Sequence, residues 1–177
     1  KSLQNANTQW KQVVPESLHP YYTVPNVSVA DTFNYLKYAI LSQDTDSLNQ
    51  IYTMSEGFEN RVIQFIDQAE NFEQFMTLLK TKRFTYTHIQ RLLMNILLNF
   101  KQQQKPEAID AVRVLGMTQK GQQYLKQLKQ LFPERNYITQ LNKQNAHFFK
   151  HEIHATKIYN LISGETADDF NTHVIRL

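Results

Sequence analysis

Apolar residues recur at steps of three and four along much of this chain. Phe58, Val62, Phe65, Ile66 and Ala69 form one series, and Ile89, Leu92, Leu93, Ile96, Leu97 and Phe100 form another. That spacing lays the side chains along one face of a helix. Breakers are scarce, with four glycines and five prolines in 177 residues. The expected fold is mainly α, a single helical domain of about six to seven helices.

Local signals place the helices. Ser28 caps a helix running to about Leu41, with Asp31 reaching back to its amide and Phe33, Leu36 and Ile40 inside. A short helix is expected over 47–51, and the next starts at Ser55 or Glu56. Asn71 caps another, with Gln74 three residues on and Phe75, Leu78 and Leu79 on its core face. Thr85 or Thr87 opens a long helix to about Phe100. Thr118 caps one over 119–132 that Pro133 stops. A last helix covers 146–161. Two stretches near 111–116 and 136–141 read as short extended segments, the second equally as a turn. Residues 1–27, with three prolines and no clean period, read as a connecting segment, and 28–177 as the domain.

Charge is unevenly placed. Residues 16–79 hold two bases against nine acids, a net of −7; residues 80–150 hold thirteen bases against three acids, a net of +10. From 74 to 106 there is no acid at all. A split of this kind suggests a polyanionic partner for the basic part, or an acidic segment of the same fold that neutralises it. The densest run is KTKRFTYTHIQR at 80–91. Lys80, Lys82, Arg83 and Arg91 can grip phosphates. Tyr86 and His88 can stack on splayed bases of single-stranded RNA, while Phe84 reads better as core. In LGMTQKG, 115–121, Gly116, Thr118 and Gly121 shape a helix start whose free N–H groups attract anions, and Lys120 adds charge. An ordinary tight turn explains the same residues.

Other chemistry is thin. Cysteine is absent, which removes disulfides, thiol nucleophiles and thiolate metal sites. HEIH at 151–154 has histidines three apart, whereas a zinc-peptidase helix needs them four apart. His147 and His151 are four apart but lack a third ligand, so no metal is expected. There is no nucleophile elbow, phosphate loop or dinucleotide fingerprint. The longest apolar run, 92–100, is too short to span a membrane and is broken by Asn95 and Asn99. No signal-peptide stretch opens the chain. The expectation is a cytoplasmic domain with no membrane partner and no catalytic residue of its own.

Four stretches carry a resemblance. EGFENRVIQFI (56–66), FEQFMTLLKTKRFTYTHIQRLL (72–93), VRVLGMTQKGQQYL (112–125) and HATKIYNL (154–161) resemble the C-terminal half of the bacterial tRNA-methionine cytidine acetate ligases. The likeness covers most of 28–162. It implies an enzyme that activates acetate with ATP as acetyl-adenylate and acetylates the wobble cytidine of elongator methionine tRNA. In that family an N-terminal nucleotidyltransferase-like domain, with a His-x-Gly-His signature, uses the ATP and acetate. None of the six histidines here lies in such a pattern. The resemblance thus implies a tRNA-binding C-terminal piece that begins at Lys1, lacks its catalytic half and is inactive alone. Its partners would be elongator methionine tRNA and its own N-terminal catalytic domain, and it would hold no cofactor. In family terms Lys80, Lys82, Arg83 and Arg91 line the RNA path. Arg113, Gly116, Thr118, Lys120 and Gly121 match the second block, where contact with RNA, contact with a neighbouring domain and the shaping of a turn all stay open. The alternative is a structural domain that packs on the catalytic one without gripping RNA.

Overall fold

Five helices, each with one apolar face, surround the main core. They are α1 (Phe33–Leu41), α2 (Thr45–Asn49), α3 (Phe58–Ile66), α4 (Phe72–Leu79) and α5 (Tyr86–Leu97). The structure, a computed structural model, describes residues 8–22, 27–55 and 57–177. Residues 1–7 and 23–26 of the expected connecting segment, and Glu56 at the expected helix start, lie outside the described residues. Within 8–22 the chain forms two 3-10 turns, Thr8–Gln12 and Glu16–Tyr22.

Side-chain caps fix the helix starts. The Ser28 N–H donates to Asp31 Oδ2 at 2.7 Å, opening a 3-10 turn that continues into α1. Asp44, Asn71 and Thr85 each accept from the backbone N–H three residues on, at 2.7, 2.9 and 3.2 Å. The Asp44 cap starts α2 at Thr45, ahead of the expected 47. Gly57 enters α3 with φ 81°, a left-handed conformation that a side chain would strain. The inward faces then meet: Leu36 and Ile40, Val62 and Ile66, Phe75 and Leu79, and Ile89, Leu92, Leu93 and Ile96 are fully buried. Each such side chain contributes about 1.5–3 kcal/mol by leaving water.

The second half is not all helical. Among the described residues it holds β1 (Ala111–Arg113), β2 (Gly116–Met117), α6 (Gln119–Leu131), β3 (Asn136–Ile138), α7 (Lys150–Ser163) and β4 (Ile175–Arg176). β1 pairs in parallel with β3, setting Val112 opposite Tyr137. β2 pairs in parallel with β4, setting Met117 opposite Arg176. α6 is the crossover that a parallel β1–β3 pair requires. These pairings overturn the mainly-α expectation: the chain is an α/β arrangement. Strands of two or three residues show no alternation of their own, and the partner of 116–117 lies at the far end of the chain.

The halves touch. The Tyr35 hydroxyl donates to the Leu161 carbonyl at 3.3 Å, and Phe100 meets the His151 ring edge-on at 4.9 Å. Gly164, with φ 74°, ends α7 and turns the chain toward the tail. No helix among the described residues is long and apolar enough to cross a membrane.

Candidate nucleic-acid interface

The basic stretch occupies the corner between α4 and α5, and Arg61 on α3 shapes it. The Arg61 guanidinium donates to the carbonyls of Leu78 and Leu79, the last residues of α4. Helix carbonyls left open at that end are thereby satisfied. Lys80 then turns extended, and its ammonium donates to the Thr81 carbonyl at 2.6 Å. The Thr81 hydroxyl oxygen accepts from the Phe84 N–H at 3.3 Å, and Thr85 starts α5.

Phe84 pins this corner to the core. Its ring lies 4.6 Å from Phe58 and stacks on His88 at 5.4 Å. With Phe84 inward, Lys82 and Arg83 project outward and are exposed. The Arg83 guanidinium rests 5.4 Å from the Phe84 ring centroid. Tyr86 is 49% exposed, so its ring is open to stacking. His88 is not: its imidazole faces Phe84, and its Nε2 is buried without a partner. Lys80, Lys82, Arg83 and Arg91 have no carboxylate within ion-pair distance among the described residues.

Arg91 borders a groove of about 560 Å³. Thr87, Gln90, Arg91, Met94 and Asn95 line one wall from α5, and Tyr52 and Thr53 line the other. Asn95 clamps the second wall, its amide donating to the Tyr52 carbonyl at 3.0 Å and to Thr53 Oγ1 at 3.2 Å. Thr53 is held at φ 67°, uncommon for a β-branched residue. Lys105 lies 5.7 Å from the Tyr52 ring centroid and adds a cation nearby. No acid among the described residues lines the groove. A mostly apolar lining that includes the Tyr52 ring and Met94, edged by hydroxyls, amides and a guanidinium, suits an unpaired nucleotide. Sequence reading passed over Tyr52, Thr53, Gln90 and Lys105. Asn95 was the available signal, an amide interrupting the longest apolar run.

The second block sits elsewhere. Arg113 donates to Asp169 Oδ1 at 2.7 Å and to the Asp169 carbonyl at 3.3 Å. Burial works to raise the Asp169 pKa, but hydrogen bonds from Arg113 and Thr156, with the Arg113 charge, outweigh it and hold the carboxyl below its ordinary value. The Thr118 hydroxyl accepts from the Gly121 N–H at 3.1 Å, so the cap already uses one free donor. Gly116 lies in the β2–β4 pair, and Lys120 is exposed on the first turn of α6. The cavities bordered by the two blocks are different ones. In α7, His151 packs on Phe100. Burial first, and Lys150 second, lower its pKa. No group of three or more metal-ligating side chains is found among the described residues.

A family model described as HIGH Nucleotidyl Transferase matches residues 1–172. The chain belongs to this family. Membership in the nucleotidyl transferase family corrects the expectation of a C-terminal piece set apart from a nucleotidyltransferase-like half, and with it the expectation of an inactive fragment. The match takes in 1–27 along with the rest, so a separate catalytic domain as partner loses its support. Among relatives, the tRNA(Met) cytidine acetate ligase of Staphylococcus saprophyticus is 68% identical over all of this chain and 47% of its own length. That of Staphylococcus carnosus is 58% identical over 99% of this chain and 46% of its own. The chain spans about half the length of the curated relatives it matches. Among solved structures, Thermotoga maritima TmcAL in its apo form superposes with TM-score 0.81 at 20% identity, covering 99% of this chain and 50% of that one. The same protein bound with alpha-thio ATP gives 0.77 at 19%, covering 99% and 51%. This likeness fixes the fold shared with TmcAL.

Proposed function

We propose that the chain serves a tRNA(Met) cytidine acetate ligase and grips tRNA at the α4–α5 corner. The overall reaction would activate acetate with ATP as acetyl-adenylate and pass the acetyl group to the wobble cytidine of elongator methionine tRNA. ATP and acetate are then substrates, and the chain needs no resident cofactor. One observation carries the RNA-binding part: among the described residues Lys80, Lys82, Arg83 and Arg91 are exposed without a carboxylate partner, on a short stretch that also carries the exposed Tyr86 and whose Arg91 borders a groove. The relatives' shared name supplies the substrate. For 113–121 a structural role is favoured, because Asp169 engages Arg113 and the Thr118 cap engages Gly121.

Fluorescence anisotropy tests this, with methionine tRNA and an unrelated tRNA at two salt concentrations. Replacing Lys80, Lys82 and Arg83 by alanine should weaken binding and flatten its salt dependence by about one unit of slope per lost phosphate contact. Wild-type affinity in a folded triple variant removes this corner from the site.

A further inference from the structure

One helix face remains outside that account. α6 shows a polar stripe, Gln119, Gln122, Lys126 and Lys129, at the three-and-four spacing of a single face. The stripe borders a groove of about 660 Å³, whose opposite wall includes Thr139 and Arg176. Among the described residues three cations line it and no acid does. None of the three has a carboxylate within ion-pair distance among the described residues. Arg176 is exposed, but its backbone is held in place. The parallel pairing sets it opposite Met117, and the Leu177 N–H donates to the Met117 carbonyl at 3.1 Å. Met117 directly precedes the Thr118 cap of α6, so the ladder brings the arginine to the lysine-bearing face.

We propose that this groove is a second polyanion site, which takes the sugar–phosphate backbone of RNA away from the α4–α5 corner. Cations and amides, with no acid or large ring among the described lining residues, suit phosphates and riboses rather than base stacking. Length favours a polymer: from 119 to 129 the stripe runs about 15 Å at the helical rise, longer than a single phosphate group. The inference rests on the proposed tRNA binding, and two gripping points on one folded RNA would fix its orientation as well as its position.

The test measures anisotropy of methionine tRNA on the full chain against salt. The variants are Lys126→Gln, Lys129→Gln and Arg176→Gln combined, the alanine triple at 80, 82 and 83, and both sets together. Circular dichroism checks folding. The glutamine triple should flatten the salt slope by about two to three units, with the corner variant adding its own loss. The charge-keeping variant Lys126→Arg, Lys129→Arg and Arg176→Lys should restore the slope. A folded glutamine triple with the wild-type slope overturns the groove site and leaves the corner standing. Wild-type protein that binds no tRNA overturns both. Inorganic tripolyphosphate that binds the wild type but not the glutamine triple, without displacing tRNA, overturns the RNA assignment in favour of a small polyphosphate.

Discussion

Replacing Asp169 by alanine removes the carboxylate that holds Arg113 and so loosens β1 from the tail. The two side chains are 17% and 12% exposed and meet at 2.7 Å. A hydrogen bond to a charged group contributes about 1.5–3 kcal/mol, and stranding one member of a fully buried pair costs about 3–5 kcal/mol. With some solvent at both groups, a loss of about 2–3 kcal/mol is expected. For a chain of this size that lowers Tm by roughly 4–12 °C. Calorimetry or urea unfolding reads the change. A double-mutant cycle with Arg113→Met isolates the pair, because methionine keeps much of the packing. The pH dependence has a definite sign. The folded-state pKa of Asp169 lies below its ordinary value of 3.8, so the stabilisation is present above that value and is lost as pH falls through the lowered one. A cycle energy under about 0.5 kcal/mol would place the pair with ordinary surface ion pairs and refute the reasoning. A folded Arg113→Met variant should also keep the wild-type salt slope for tRNA; a drop of about one unit would mean that the guanidinium reaches RNA after all.

Two further outcomes follow from the corner and its groove. Arg61→Met should destabilise the protein by about 1–3 kcal/mol, since two carbonyls lose a charged donor, and should weaken tRNA binding while leaving the salt slope nearly unchanged. Asn95→Leu should remove the donor to the Tyr52 carbonyl and to Thr53 Oγ1 and release Thr53 from its left-handed conformation, lowering stability by about 1–2 kcal/mol, and the backbone chemical shifts of Tyr52 and Thr53 in NMR check the change.

The legible features were local ones. Asn71, Thr85 and Thr118 cap helices through a bond to the residue three positions on, so a short window of sequence contains the whole interaction. The apolar faces of α3 and α5 were visible for the same reason. Phe84 packs against the core, as expected for the one ring of the basic run read as core. The β2–β4 pair was not legible: two residues carry no period, and Arg176 finds Met117 only through the tertiary fold. The Tyr52–Thr53 wall was missed because its tie to Asn95 spans distant positions. The charge of 80–91 was plain from composition, yet the inward turn of His88 came from packing against Phe84, which charge counting does not register.

The Arg61 contact with Leu78 and Leu79 has an electrostatic consequence for the basic run. Aligned peptide dipoles leave the last turn of a helix partially negative and the first turn partially positive. A run of cations placed just after a helix would ordinarily be drawn back onto that negative pole. Here Arg61 already occupies it, and the next pole along the chain is the positive start of α5. The corner therefore shows solvent a positive potential from side chains and backbone together. A neutral residue at 61 would uncover a competing negative pole without altering a single exposed charge.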